Sequence, residues 1–279
     1  PDETAAIEAV GRMIQDQIFP VAEIKATAFL ASFPKSQSAP LVRHWLAEAQ
    51  HRQGRHQDAI ATLEPLLKDT RRQKPGPETL RIAAECYADL GRFAEAEPLY
   101  RDLLTLNPDY ARSPEARLGL AWTLLNLGGE KAREGETILD VIARNPDSPE
   151  LAQNARLVHA RWQIRAGRPT EAAQTLTDLL VSQPSAPARL EAHFWLGEIL
   201  LAAGDYPKAL GHFEQITSEL GPVRADLLMF ASLRRGECAL ATGDAAKALE
   251  SLEKVLVGGT EEAARLTAAR KMIEAATKA

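Results

Sequence analysis

Aromatic residues are scarce, at 5% of the 279 positions. A core must therefore be filled by Leu, Ile, Val and Ala. Ala in quantity favours helices packed at close range, because it has the best helix propensity and lets two backbones approach. Cysteine is nearly absent: there are two residues, Cys86 and Cys238, which excludes a disulfide-built scaffold. No stretch approaches the roughly 18 apolar residues of a membrane-spanning helix, and the start shows no charged-then-apolar leader pattern. An excess of basic residues is also missing. The 33 Lys and Arg stand against 38 Asp and Glu, for a net charge of -5, whereas a nucleic-acid footprint needs a basic domain. The one basic cluster, Arg71-Arg72-Gln73-Lys74, lies beside Pro75-Gly76-Pro77 and reads as a solvated connecting loop. The chain opens on Pro1-Asp2-Glu3, without Met, as expected of a mature or trimmed chain.

Catalytic signatures are absent as well. There is no G-x-x-x-x-G-K phosphate loop, no H-E-x-x-H and no C-x-x-C. The six histidines are scattered. His44 and His51 are seven apart on one helix face, but no carboxylate or third histidine is read as completing a metal set. No catalytic residue, metal or cofactor is expected.

What is present is a ruler of glycines and prolines. Gly54, Gly91, Gly128, Gly167, Gly204 and Gly243 follow one another at 37 to 39 residues. Pro108, Pro146, Pro184 and Pro222 keep a spacing of 38, with Pro34 at twice 37 before the first of them. Internal repeats of such a period signal stacked supersecondary units. Seven residues before each glycine stands a small residue: Ala47, Ala84, Ala121, Ala160, Gly197, Gly236. Five after it stands Ala59, Ala96, Ala172, Ala209 or Ala248, and nine after it Leu63, Tyr100, Leu176, Phe213 or Leu252. The fourth repeat has Arg133 instead, and treating Gly129 as an insertion brings Ile138 into line.

Each unit reads as two helices joined at the glycine, which can take the left-handed conformation. Ser113-Pro114-Glu115, Ser148-Pro149-Glu150 and Gly76-Pro77-Glu78 read as helix starts, with Ser or Gly capping. A hairpin of this kind cannot bury its apolar stripes alone, so hairpins stack into a solenoid. The small residues mark the close approach of its two helices. No alternating strand pattern occurs. Cys86 and Cys238 fall on equivalent helices four units apart, too distant for a disulfide. They read as free thiols acting as small buried hydrophobes.

These positions resemble the tetratricopeptide repeat. The sixth unit carries the pattern best, with Trp195-Leu196-Gly197-Glu198, Gly204-Asp205-Tyr206, Ala209 and Phe213. The third carries Tyr87, Gly91, Ala96, Tyr100 and Pro108. The resemblance implies an all-α, right-handed superhelical solenoid of about seven hairpins over residues 1–279. Residues 3–34 form a degenerate first repeat in which Gln17 replaces the glycine, residues 35–256 the clear repeats, and residues 260–277 a terminal helix capped by Thr260-Glu261-Glu262. A narrower resemblance links Phe33-Pro34-Lys35-Ser36, Ala39-Pro40 and Trp45-Leu46-Ala47-Glu48 to repeats of bacterial envelope proteins, among them outer-membrane assembly lipoproteins. That implies a periplasmic or envelope-associated setting; the alternative is a cytoplasmic scaffold.

In this family the first helix of each hairpin lines the concave side, and the position six before the glycine faces it. The resemblance therefore implies a groove bearing Glu48, Glu85, Trp122, Arg161, Glu198 and Glu237, with Arg165 one turn beyond Arg161. Trp122 with Arg161 and Arg165 would grip a peptide or an acidic group. Packing of Trp122 between units and pairing of the arginines with glutamates is the competing reading. A further apolar series, Leu118, Leu157, Phe194 and Leu233, reads as core between units. Function is read as a non-catalytic scaffold for a protein or peptide partner, without nucleic acid and without a membrane span. An envelope-assembly or cell-wall-coordination subunit using another face, and a regulatory domain of a larger enzyme, are the alternatives.

Overall fold

The computed structural model describes residues 2–68, 75–259 and 261–278. The basic run 71–74 and Thr260 lie outside them. Among the described residues there are fifteen helices and no strand. Seven hairpins run in chain order: α1 (Glu3–Gln15) with α2 (Phe19–Ser32), α3 (Ala39–Arg52) with α4 (His56–Lys68), α5 (Pro77–Asp89) with α6 (Phe93–Leu106), α7 (Ser113–Leu127) with α8 (Gly129–Ala143), α9 (Pro149–Arg165) with α10 (Pro169–Val181), α11 (Ala186–Ala202) with α12 (Tyr206–Thr217), and α13 (Ala225–Ala241) with α14 (Ala245–Gly258). Helix α15 (Glu262–Lys278) follows. We refer to the odd-numbered helices as A helices and the even-numbered ones as B helices.

The chain divides into two compact units, one ending at Ile142 and one beginning at Ala143. In the first unit, α1 packs on α3, α3 on α5 and α5 on α7. In the second, α9 packs on α11, α11 on α13 and α13 on α15. Each unit therefore presents a face made of A helices.

Every marker glycine has a positive φ, from +71° at Gly91 to +83° at Gly243. A residue with a Cβ is disfavoured there, which is why glycine recurs. Gln17 adopts the same turn at φ 58°, so the first hairpin is a true repeat without its glycine. The small-residue series faces the large one. A Cβ on Gly197 would lie 2.6 Å from Phe213 Cζ, and one on Gly236 would lie 2.7 Å from Leu252 Cγ. Ala47, Ala84, Ala121 and Ala160 are fully buried.

Two sequence expectations are corrected. In the fourth hairpin the buried positions are Gly135, Leu139 and Ile142 rather than Ile138, which is only partly buried. Two residues are inserted after Gly128, not one. The spacing Gly135–Leu139–Ile142 then matches Ala172–Leu176–Leu179 in the next hairpin. Gly135 is the small residue, because a Cβ there would meet Ala121 O at 2.8 Å. Serine capping is also absent among the described residues. Ser148 makes no side-chain cap, and the Ser113 hydroxyl donates to Tyr110 O at 2.6 Å. Aspartates cap instead: Asp2, Asp205 and Asp244 accept from Thr4, Lys208 and Lys247 amides.

Apolar clusters join successive hairpins. Val10, Phe29 and Leu46 link the first two, Leu63 with Ile82 the second and third, and Leu103 with Leu120 the third and fourth. In the second unit Leu176 with Ala192, Phe213 with Ala231, and Leu252 with Ala268 do the same. Of the apolar A-helix series, Leu157 and Leu233 are buried while Leu118 and Phe194 are half-buried.

Candidate functional site

The A-helix face of the first unit is organised around Arg81. Its side chain is 4% exposed and reaches three carboxylates: Glu48 at 3.0 Å, Glu78 at 2.7 Å and Glu85 at 2.6 Å. Glu78 also accepts from the Tyr110 hydroxyl at 2.6 Å, and Glu48 pairs with Arg52 at 2.8 Å. Burial alone would raise the Glu48 and Glu85 pKa values. The hydrogen bonds and positive charge around them win, and both carboxyls are held below the usual range. The second unit repeats the device. Arg234 pairs with Glu198 at 2.7 Å and Glu237 at 2.8 Å, and Lys271 reaches Glu237 at 3.2 Å. All four glutamates of the sequence-derived groove are thus bound to cations of their own chain. Arg81 and Arg234, each clamping two A helices, are the residues that periodicity did not single out.

The other three groove residues fall in different units. Trp122, on α7 of the first, is half-buried, and its carbonyl accepts from Asn126 at 2.7 Å. Arg161 and Arg165, on α9 of the second, are exposed and one turn apart. The Arg161 guanidinium lies over the Trp195 ring, 5.6 Å from its centroid, a cation–π contact. Trp195 sits on α11 and donates to Glu191 at 3.4 Å.

A second cluster lies where the second hairpin meets the third. His51 is in the last turn of α3, and His56 opens α4 beyond the left-handed Gly54. That turn folds the two rings together, with Nδ1 to Nδ1 at 3.2 Å. Helix α5 brings Cys86 Sγ to 3.4 Å from His51 Nδ1. Asp89, one turn on, places Oδ2 at 3.5 Å from His56 Nδ1 and 3.9 Å from His51 Nδ1. Behind them, Glu85 Oε2 lies 3.3 Å from His51 Nε2. With Nε2 facing a carboxylate, the His51 proton belongs there and Nδ1 keeps its lone pair. Cys86 is buried and its side chain of Asp89 is half-exposed. Burial first, and then the carboxylates of Asp89, Glu85 and Glu48, push the Cys86 thiol up to about 12. Cys86 is a free buried thiol in an apolar cluster with Leu63 and Ile82, as the sequence implied, and it also touches an imidazole; His51 pairs with His56 rather than with His44. His44 Nδ1 is buried without a partner. The sequence reading looked along one helix, whereas these groups come from three.

Family models described as tetratricopeptide repeat match residues 46–111, 83–149, 157–225 and 230–257. No curated protein matches in sequence. Among solved structures, a tetratricopeptide repeat protein from Parabacteroides merdae superposes with a TM-score of 0.69 at 20% identity, over 97% of this chain and 98% of that one. PilW, a type IV pilus biogenesis factor, gives 0.57 at 22% identity over 83% and 99%. The Cut9–Hcn1 hetero-tetramer of the APC/C gives 0.52 at 14% identity over 98% and 52%. These likenesses show a shared fold. Repeat period, left-handed glycines, hairpin packing and model matches over more than half of the residues agree, and the chain belongs to the tetratricopeptide repeat family.

Proposed function

We propose that the chain is a non-catalytic scaffold holding a protein or peptide partner on an A-helix face. Tetratricopeptide repeat proteins are generally interaction scaffolds. The observation that carries the proposal here is the cation–aromatic contact on the A-helix face of the second unit. In the second unit Arg161 and Arg165 are exposed one turn apart on α9, and the Arg161 guanidinium lies over the half-buried Trp195 ring. A guanidinium over an aromatic ring, with a second one turn along the helix, suits a carboxylate next to an apolar side chain, since Arg binds carboxylates in a two-pronged way. Trp122 offers the first unit an aromatic contact of the same kind.

A photo-crosslinking side chain at Arg165, compared with one at the exposed Thr177 of α10, tests the face. The crosslinked segment, made as a peptide, should then lose at least ~30-fold in affinity for Arg161→Ala, about 2 kcal/mol for an interface anchor. Crosslinks formed from Thr177 alone would move the interface to the B helices.

As the setting we propose the bacterial cell envelope, supported by the likeness of Phe33-Pro34-Lys35-Ser36 and Trp45-Leu46-Ala47-Glu48 to envelope repeats. Among the described residues no helix is long and apolar enough to cross a membrane. Fractionation of cells producing the protein from its natural gene is the check, and recovery with cytoplasmic markers would overturn this setting.

A further inference from the structure

We propose that His51, His56, Cys86 and Asp89 form a binding site for one divalent transition-metal ion of the zinc type, which ties the second hairpin to the third. The donor atoms are His51 Nδ1, His56 Nδ1, Cys86 Sγ and Asp89 Oδ2. Sulfur, imidazole and carboxylate are ligands for zinc rather than for magnesium or calcium. Bonds of about 2.0–2.1 Å to nitrogen or oxygen and about 2.3 Å to sulfur, arranged tetrahedrally, put neighbouring donors roughly 3.3–3.6 Å apart. Four of the six donor separations run from 3.2 Å (His51–His56) through 3.4 Å (Cys86–His51) and 3.5 Å (His56–Asp89) to 3.9 Å (His51–Asp89). His51, His56 and Cys86 have all three donors within 4.8 Å of one another. Asp89 lies outside that three-residue set, so its carboxylate has to turn toward Cys86 Sγ to complete the tetrahedron.

The surroundings fit as well. Glu85 stands 3.3 Å from His51 Nε2, the carboxylate that a metal-bound histidine usually has on its second nitrogen. Asp89, with half of its side chain exposed, leaves the site open toward solvent. Four protein donors leave no open coordination position, so the ion is structural and activates no water. On binding, the Cys86 thiol gives its proton to solvent and a metal–thiolate bond forms. With one thiolate and one carboxylate, the dication is neutralised.

The repeats of this chain provide an internal control. The equivalent positions at the junction of the sixth and seventh hairpins are Leu201, Tyr206, Cys238 and Ala241. At the junction of the fifth and sixth they are Ile164, Pro169, Ile199 and Ala202. The architecture fills this junction with apolar or small residues and has no need of histidine or aspartate there. Only between the second and third hairpins do all four positions carry donors. Both thiols have apolar neighbours, Cys86 with Leu63 and Ile82 and Cys238 with Leu190 and Phe213, and what sets Cys86 apart is the donors beside it.

The test uses the full chain without an affinity tag, stripped of metal and titrated with cobalt(II). One equivalent should produce a thiolate-to-cobalt charge-transfer band and the intense visible absorption of four-coordinate cobalt, both erased by one equivalent of zinc. Cys86→Ser should abolish the charge-transfer band. His56→Ala and Asp89→Asn should each weaken zinc binding at least tenfold, measured against a chromophoric chelator, with the helical signal unchanged. Cys238→Ser should behave as the parent. A parent protein without the band, a band that survives Cys86→Ser, or one that disappears in Cys238→Ser while the protein stays folded would each overturn the proposal.

Discussion

At the scale of single residues, the repeat is enforced by steric exclusion. Phe213 is fully buried and its ring occupies the space a side chain on Gly197 would need. Gly197→Ala gains helix propensity, up to ~1 kcal/mol, but the enclosed ring cannot move aside and overpacking costs about 1–3 kcal/mol. The variant should melt at lower temperature, and Phe213→Leu in the same chain should recover part of the loss. Additive effects of the two changes would show that they do not touch. Ala209→Phe should be worse still, because Ala209 is fully enclosed in the same hairpin. Gln17 makes the opposite case. It holds a left-handed turn at φ 58° with a Cβ, a conformation costing roughly 1–2 kcal/mol. Gln17→Gly should therefore raise stability by up to about 1 kcal/mol in chemical denaturation, glycine's extra unfolded-state entropy taking the rest. Gln17 was recognisable from the sequence as the missing glycine, since a local turn is written in local residues. The extra insertion beside Gly129 was not, because the sequence offers Ile138 and Leu139 alike and only packing against Ala121 and Leu125 selects the register.

At the scale of helices, charge binds successive A helices where the small residues do not. Arg81→Ala would strand Glu48, Glu78 and Glu85 around an empty guanidinium site, and removing one partner of a buried pair costs about 3–5 kcal/mol. Glu78 has 42% of its side chain in solvent, so about 3 kcal/mol is expected. In the parent, Glu48 and Glu85 have lowered pKa values. Their contribution is present above the ordinary carboxylate range and is lost as pH falls through the folded values. In Arg81→Ala the part due to Arg81 is gone, while Arg52 still holds Glu48 and His51 still holds Glu85, so the gap between the two proteins should narrow on acidification. A gap independent of pH would show that the loss is one of packing. The second unit carries a different switch. His193 and His212 face each other at 2.9 Å. Burial, the His212 ring and Arg189 push His193 down to about 4, and burial lowers His212 as well. A histidine with a depressed folded pKa stays neutral while the unfolded chain protonates. Stability should thus fall as pH drops from about 6.5 toward about 4, and melting curves of His193→Gln should lose part of that slope.

At the scale of the whole molecule, each unit carries its own apolar clusters. Residues 1–142 and 143–279 made separately should each give a helical circular dichroism spectrum and a cooperative melt. A fragment without a transition would show that its clusters do not suffice. The intact chain should show no strand signal, in keeping with fifteen helices among the described residues.

The all-α class, the hairpin count and the turn positions were legible in the amino-acid order. Each hairpin carries its own glycine, its own small residue and its own large one, and helix formation depends on neighbours a few places away. The candidate sites were not legible in that way. Whether Glu48 is free to meet a partner depends on Arg81, and that pairing spans 33 residues. His51, His56, Cys86 and Asp89 stand on three helices, with 35 residues between the first histidine and the cysteine. Cys86 and Cys238 occupy the same place in their repeats, and the one local difference, Asp89 against Ala241, does not by itself point to imidazoles from another hairpin. Only the docking of α5 against the α3–α4 hairpin added imidazoles to the apolar side chains that surround both thiols, because a contact between hairpins is set by packing across the junction and not by residues adjacent in the chain.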